Sequence, residues 1–169
     1  MSDPITNPAT PEAVFGKDAV AQALPNHAAL TALGELLADA KWDRNELTVT
    51  VAPENIVAAM RALQAGGYNF FEDCTCVDWV PAEPRFQVTY SLLSHKLKDR
   101  LRVVARVSED NAVIDSITDV WPAANFYERE VFDLFGVRFN GHPRLTRIMM
   151  PDNWNGHPLR KDYPVEGYR

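Results

Sequence analysis

Three consecutive strand-like segments constrain the fold of this chain most strongly. They span residues 68–79, 85–93 and 101–107, and in the last two apolar side chains recur at every second position. Only short links separate the segments, and strands joined by short links pair in the antiparallel direction. We therefore predict an antiparallel meander whose apolar face is covered by helices.

Helical patterns lie on both sides of these strands. Apolar residues recur at helical spacing in residues 12–23 and 27–40. Pro53 starts a third helix, which ends at Gly66. A fourth helix is predicted over residues 122–135, because a proline opens it and a glycine follows its last apolar residue.

The predicted element order is α-α-β-α-β-β-β-α, followed by a tail, with the first strand at 46–51. The fold class is α+β: a mostly antiparallel sheet with helices packed on one face, plus an extended irregular C-terminal tail. We divide the chain into an N-terminal arm (1–25) that is flexible or ordered by a partner, an α+β domain (26–140) and a docking tail (141–169).

Charge and composition exclude several classes of function. The formal net charge is −6, which argues against nucleic-acid binding, because phosphate recognition requires a basic surface. No apolar run approaches the roughly 18 residues that a membrane helix needs. The polar, Pro-rich start of the chain lacks the pattern of an export signal, so we expect a cytoplasmic protein.

The two cysteines, Cys74 and Cys76, are interpreted as small apolar residues of a strand core. Their C-x-C spacing places both side chains on the same face of a strand. Iron–sulfur clusters and structural zinc usually require four ligands, often in C-x-x-C pairs, and the sequence contains no second pair. Free thiols also agree with a cytoplasmic location.

The last 29 residues lack periodicity, and four prolines prevent a long helix there. An irregular segment of this length on a compact domain usually has a function or a binding partner. Residue types that contribute strongly to protein interfaces are spread along it. They are Trp154, Arg160, Tyr163 and Tyr168.

Two other interpretations of the tail use its repeated Gly-His-Pro sequence. His142 and His157 would be the ligands of a metal site, but a third strong ligand at a suitable spacing is lacking. Arg160 and Lys161 would contact a phosphate, but no Gly-rich loop between a strand and a helix accompanies them. Docking onto another protein explains the composition better.

Carboxylates are concentrated in the fourth predicted helix. Glu130 and Asp133 could share a face and act as a general acid–base pair, which together with the two tail histidines would describe a free-standing hydrolase. No nucleophile accompanies them, so we favour a charged helix face available to a neighbouring protein. On this face, which begins at Glu128, we expect Arg129 to pair with Asp133 one turn away.

The same residues resemble a known family. The motifs are E-R-E-x-x-D-L-F-G from Glu128 to Gly136, then His142-Pro143 with Arg147-Ile148, and G-H-P-L-R-K-D-Y-P from Gly156 to Pro164. In this order they resemble the signature of the C-type subunit of NADH–quinone oxidoreductase, known in mitochondrial complex I as the 30-kDa subunit. The resemblance is strong over the last third of the chain. It departs from the family at Thr146, where members commonly have a second basic residue.

The resemblance implies a place in a large redox assembly. Members of this family lie in the peripheral arm of the complex, on the cytoplasmic side of the bacterial inner membrane. They hold no cofactor of their own, and the flavin (FMN) and iron–sulfur clusters that carry electrons from NADH to quinone belong to other subunits. The chain would be a non-catalytic structural subunit. Equivalent subunits of membrane-bound hydrogenases and of ferredoxin- or F420-dependent complexes look alike.

The implied partners are chiefly the D-type subunit, which holds the quinone site, and also the B- and I-type iron–sulfur subunits. We expect the contacts with them to come from the fourth helix and the tail. The predicted partner-binding residues are Glu128, Arg129, Glu130, Asp133, His142, Arg147, Trp154, His157, Arg160, Lys161, Asp162 and Tyr163.

Overall fold

A mixed sheet of six strands forms the centre of the computed structural model, which describes residues 13–167. Its strands are β1 (Val14–Phe15), β2 (Leu37–Asp43), β3 (Glu46–Val51), β4 (Phe70–Asp78), β5 (Phe86–Ser94) and β6 (Asp99–Val107). They lie in the order β1-β2-β3-β6-β5-β4. All neighbours are antiparallel except β3 and β6, which run parallel.

Four α-helices and a second, smaller sheet complete the fold of the described residues. The helices are α1 (Lys17–Ala23), α2 (Ala28–Leu33), α3 (Ile56–Ala65) and α4 (Ala124–Phe135), with 3₁₀ turns at Gly34–Leu36 and Pro53–Asn55. The small sheet pairs β7 (Val113–Asp115) with β8 (Arg138–Asn140) in parallel. Among residues 13–167, no helix has the length and apolarity needed to cross a membrane.

The predicted meander is confirmed as β4, β5 and β6, and the α+β class with it. Alternation decides which side chains enter the core: Phe86, Val88, Tyr90 and Leu92 of β5 are fully buried. Cys74 and Cys76 of β4 are buried free thiols on one face of the strand, as predicted.

The prediction of one helix over residues 27–40 is wrong in its second half. The helix ends at Leu33, because Gly34 adopts a positive φ of 50°, and β2 begins at Leu37. Arg44 and Asn45 then form a tight hairpin turn, both with positive φ, that pairs β2 with β3. The leucines of this region fit a helical stripe and a buried strand equally well, so periodicity alone does not separate the two.

Part of the predicted N-terminal arm is folded. Val14 and Phe15 pair with Trp42 and Lys41 at the edge of the sheet, and Val20 of α1 is fully buried. Residues 13–25 therefore pack on the domain whose predicted start is residue 26. The rest of the predicted arm, residues 1–12, lies outside the described residues.

Candidate docking site

The C-terminal segment, here defined as residues 141–167, folds back over the chain's own α4 and the ends of β4 and β5. Its middle passes the last turn of α4, where the Leu159 amide donates to the Leu134 carbonyl at 3.1 Å. Further along, the Lys161 amide donates to the Asp78 carboxylate at the end of β4, at 2.9 Å. The segment is irregular, as predicted, but many of its polar groups have partners within the same chain.

Asp133 of α4 fixes the first part of this segment. Its Oδ2 accepts hydrogen bonds from three consecutive amides, those of Ile148, Met149 and Met150, at 2.9, 2.7 and 2.9 Å. Its Oδ1 accepts one from the Arg147 guanidinium. Burial acts to raise the pKa of Asp133, but these four donors hold it below its usual value. Both oxygens are thus occupied by donors, which leaves Asp133 unsuited to act as a general base.

Arg147 closes the loop that Asp133 organises. Its Nη1 also donates to the Asp133 carbonyl at 3.2 Å. Its Nη2 donates to the carbonyls of Trp154 and Gly156, at 3.2 and 3.1 Å. A planar guanidinium can bind a carboxylate and several carbonyls at once, which a lysine could not do in the same geometry. One side chain therefore connects α4 to two separate parts of the C-terminal segment.

The predicted ion pair between Arg129 and Asp133 is wrong. Arg129 instead donates to the carbonyls of Thr146 and Arg147 and to the Thr146 hydroxyl, each at 3.0 Å. The guanidinium beside Asp133 belongs instead to Arg147, which lies 14 positions after Asp133 in the sequence. Sequence spacing along a helix could not predict this exchange, because the competing partner comes from the segment that folds back.

The last four carbonyl groups of α4 all have hydrogen-bond partners. The last four carbonyls of an α-helix normally have no hydrogen-bond partner within the helix itself. Cations near them also interact favourably with the helix dipole. Here the C-terminal segment supplies three of the four donors. The pairs are Phe132 with the Gly136 amide (2.9 Å), Asp133 with His157 Nδ1 (2.9 Å), Leu134 with the Leu159 amide (3.1 Å) and Phe135 with Arg160 Nε (2.6 Å).

Gly136 permits this close approach. It has a φ of 78°, in the left-handed region that glycine adopts most easily, and it ends α4. A Cβ atom at this position would lie 2.6 Å from the His157 ring and 2.8 Å from Arg160 Nη2. The glycine is therefore needed both for the turn and for the space that these two side chains occupy.

A buried arginine, Arg85, fixes the second part of the C-terminal segment. Its Nε and Nη2 bind the two oxygens of Asp78 at 2.9 and 2.8 Å, and its Nη2 lies 2.7 Å from Asp162 of the segment. Glu109 pairs with its Nη1. The hydrogen bonds from Arg85 hold the pKa of Asp78 well below its usual range. Sequence analysis missed Arg85, because its partners lie 7, 24 and 77 positions away.

Glu128 is buried rather than part of a charged surface. Ser116 donates its hydroxyl to one carboxylate oxygen, and the Ile117 amide donates to the other at 2.8 Å. Burial raises the pKa of Glu128 to about 7, although these two hydrogen bonds oppose the rise. In this structure Glu128 and Asp133 are both inaccessible to a partner, and each instead fixes a loop of its own chain against α4.

The two histidines of the Gly-His-Pro repeats bind different turns of α4. His142 Nε2 lies 3.1 Å from the Asn125 carbonyl, and His157 Nδ1 lies 2.9 Å from that of Asp133. These carbonyls are eight residues apart, or about 12 Å along a helix. Burial lowers the pKa of both histidines, which favours the neutral form. Within residues 13–167 no group of three or more His, Cys, Asp or Glu side chains is placed to hold a metal ion.

The remaining predicted contact residues are more accessible. Glu130, Trp154, Lys161 and Asp162 are exposed, whereas Tyr163 is half-buried. Large apolar side chains that sequence analysis did not single out are also exposed on α4 and the C-terminal segment. Their exposed fractions are 62% for Phe126, 39% for Ile148, 62% for Met149 and 52% for Leu159.

Comparison with known proteins assigns the chain to a class. Residues 49–169 match the family model described as the 30 Kd subunit of respiratory-chain NADH dehydrogenase. This match includes most of the sheet, α4 and the whole C-terminal segment. The chain therefore belongs to this family of subunits, and the resemblance found in its sequence is confirmed.

Relatives in bacteria identify the family member more closely as the C-type subunit of NADH-quinone oxidoreductase. That of Citrifermentans bemidjiense is 47% identical over 147 residues, which cover 84% of this chain and 91% of the relative. That of Geobacter metallireducens is 53% identical over 131 residues, covering 76% and 81%. The family assigns the chain to a multi-subunit, membrane-associated complex, whose other subunits are its partners.

Two of the solved structures that resemble this chain are informative. One, described as the trypsin-resistant fragment (1-134) of Nqo5, is 37% identical with a TM-score of 0.56, and the match covers 59% of this chain and 83% of that one. The other belongs to the membrane-bound sulfane sulfur reductase, an archaeal respiratory membrane complex. It is 27% identical with a TM-score of 0.70, covering 88% of this chain and 85% of that one.

Proposed function

We propose that this chain is a non-catalytic structural subunit in the peripheral arm of a proton-translocating NADH–quinone oxidoreductase. It supports electron transfer from NADH to quinone by holding neighbouring subunits in place, on the cytoplasmic side of the bacterial inner membrane. The observation that carries the proposal is the C-terminal segment: it contains family motifs, is fixed by buried charges, and presents apolar side chains to the outside.

The positions of the titratable side chains support a structural role. Asp133, Glu128 and His157 would be the first candidates for acid–base work, yet each binds backbone or hydroxyl groups of its own chain. We therefore propose that the chain carries no cofactor. FMN and the iron–sulfur clusters then belong to partner subunits.

The exposed residues of the C-terminal segment point to a protein partner. The backbone amides of Ile148 and Met149 are held by Asp133, and a loop with a fixed backbone loses less conformational entropy on binding than a free one. Charged groups beside them, such as Lys161, give orientation more than affinity. We propose the D-type subunit as the main partner, with the B- and I-type subunits as further neighbours.

A related machine is the second candidate, because a similar chain occurs in the archaeal sulfane sulfur reductase complex. The identity to that chain is 27%, against 47% and 53% for the two bacterial relatives from NADH-quinone oxidoreductase. Neighbouring genes provide the test. Genes for flavin- and NAD-binding subunits of the E and F type support the first candidate, and their absence supports a hydrogenase-like or ferredoxin- or F420-dependent assembly.

A point variant tests the docking role better than a truncation, since removing the whole segment would leave Asp133 and Arg85 without partners. We expect Met149→Glu to reduce co-purification of the D-type subunit by about tenfold or more, because it places a charge in an apolar contact. Leu97→Glu, at an exposed leucine between β5 and β6, is the matched control and should assemble normally. Full co-purification of the Met149→Glu protein would refute the docking role.

A further inference from the structure

The C-terminal segment is fastened to its own domain at two separate places, and neither requires another subunit. We infer that it closes over α4 in the free subunit, before any partner binds, and that Asp133 is the positioning residue that sets the exposed side chains of Ile148 and Met149. The biological use of this closure rests on the proposed docking function, but the closure itself can be tested without it.

The geometry around Asp133 determines which way the loop faces. Three successive amides, of residues 148–150, converge on one oxygen atom of the buried carboxylate. Because their N–H groups all point inward, the loop has one defined conformation, and in it the side chains of Ile148 and Met149 are exposed. A loop without the carboxylate would have no common acceptor for these three donors.

Buried charge makes the closed state the favoured one for the chain by itself. Asp133 has no exposed surface, and an ionised carboxylate of this kind is strongly disfavoured unless donors surround it. All four of its donors come from residues 147–150 of the same chain. Three of the last four carbonyls of α4 likewise obtain donors from the segment, namely from His157, Leu159 and Arg160. Opening the whole segment would remove all of these partners.

The second fastening uses a different set of residues. Arg85 is already bound to Asp78 within the domain. From the segment, the Asp162 carboxylate binds Arg85 and the Lys161 amide donates to Asp78. Asp162 itself is 53% exposed, so it can leave without exposing the core. Since no residue is shared with the Asp133 site, we expect the two fastenings to open separately.

Amide hydrogen exchange on the free, full-length subunit tests the inference. The amides of residues 148–150 should be protected in the wild-type protein. In Asp133→Asn their exchange should be about tenfold faster or more, as expected when hydrogen bonds to a charged group are lost. The amides of β5 should keep their protection, which shows that the domain is folded. Asp152→Asn, at an exposed aspartate of the same segment, is the control and should exchange like the wild type.

Two results would overturn the inference. One is fast exchange of residues 148–150 in the wild-type free subunit, which would mean that the segment is open until a partner binds. The other is unchanged protection in a folded Asp133→Asn protein. If that variant does not fold, Arg147→Gln replaces it, with the same expected increase for residues 148–150, and unchanged protection there overturns the inference equally.

Asp162→Asn tests the second fastening. It should accelerate exchange of the Lys161 amide and leave residues 148–150 protected; equal acceleration at both places would contradict separate opening.

Failure of the proposed docking function would give a different result from failure of the closure. If Asp133→Asn opens the segment as expected but still assembles in full, closure stands and the docking role of the segment is refuted.

Discussion

At the scale of single residues, two buried carboxylates on α4 have opposite environments. Asp133 accepts hydrogen bonds from four donors, and its pKa is lowered even though burial opposes this. Glu128 accepts two, and burial prevails, so its pKa is raised to about 7. The number of donors around each carboxylate therefore decides whether its charge stabilises or destabilises the fold. Neither environment could be inferred from the sequence, where both residues belong to one charged helix.

Glu128 should make stability depend on pH near neutrality. Its folded pKa of about 7 lies above the reference value of 4.5, so the folded state binds the extra proton between these pH values. The free energy of unfolding should therefore fall as the pH rises through this window, by up to about 3 kcal/mol. Glu128→Gln should remove this contribution to the slope, as urea unfolding at pH 5 and pH 8 would show.

Glu130→Gln is the control for this experiment, since Glu130 is exposed on the same helix and its replacement should leave the slope intact. Protonation of the histidines acts in the other direction: because burial lowers the pKa of His142 and His157, stability is lost as the pH falls below about 6.5. A Glu128→Gln protein with the same slope as the wild type between pH 5 and pH 8 would contradict the assignment.

At the scale of elements, the end of α4 and the C-terminal segment form one structural unit. The helix supplies carbonyl acceptors, the segment supplies His157, Leu159 and Arg160 as donors, and Gly136 allows them to approach. The Arg160 guanidinium also lies over the Phe86 ring, 5.0 Å from its centre, which links the unit to β5. The predicted boundary at residue 140 therefore separates residues that depend on each other.

Gly136→Ala should disrupt this unit. The new Cβ would meet the His157 ring and Arg160 Nη2, and alanine is strained at a φ of 78°. We expect the free energy of unfolding to decrease by more than about 1 kcal/mol. Gly141→Ala is the matched control, because that residue has a similar φ of 74° but no atom within 4 Å of the added Cβ. Equal losses in both proteins, measured by urea unfolding, would show that space at Gly136 does not matter.

The elements differ in how far the sequence predicts them. β3 is predicted to the residue, and β4, β5 and β6 to within about two residues; alternation is strong in β3, β5 and β6. β2 is missed, since Leu37 at its start continues the helical spacing of the leucines in α2. Contacts between distant residues are not predictable at all: the bond from Arg85 to Asp162 spans 77 positions. Local patterns contain no information about such pairs.

At the scale of the whole molecule, the C-terminal segment is fixed on α4 and on the ends of β4 and β5. Composition and proline placement indicate docking, and the family signature indicates the assembly. The structure adds that the segment binds its own domain, so many of the predicted contact residues have partners within the chain. Those that remain exposed, together with Ile148, Met149 and Leu159, are the candidates for contact with other subunits.

Site-specific photo-cross-linking at position 149 in the intact assembly tests the docking account most directly. A photoreactive residue in place of Met149 should form a cross-link to the D-type subunit, whereas the same residue in place of Leu97 should not. Cross-linking from position 97 but not from position 149 would contradict the account, as would an absence of any cross-link to another subunit from position 149.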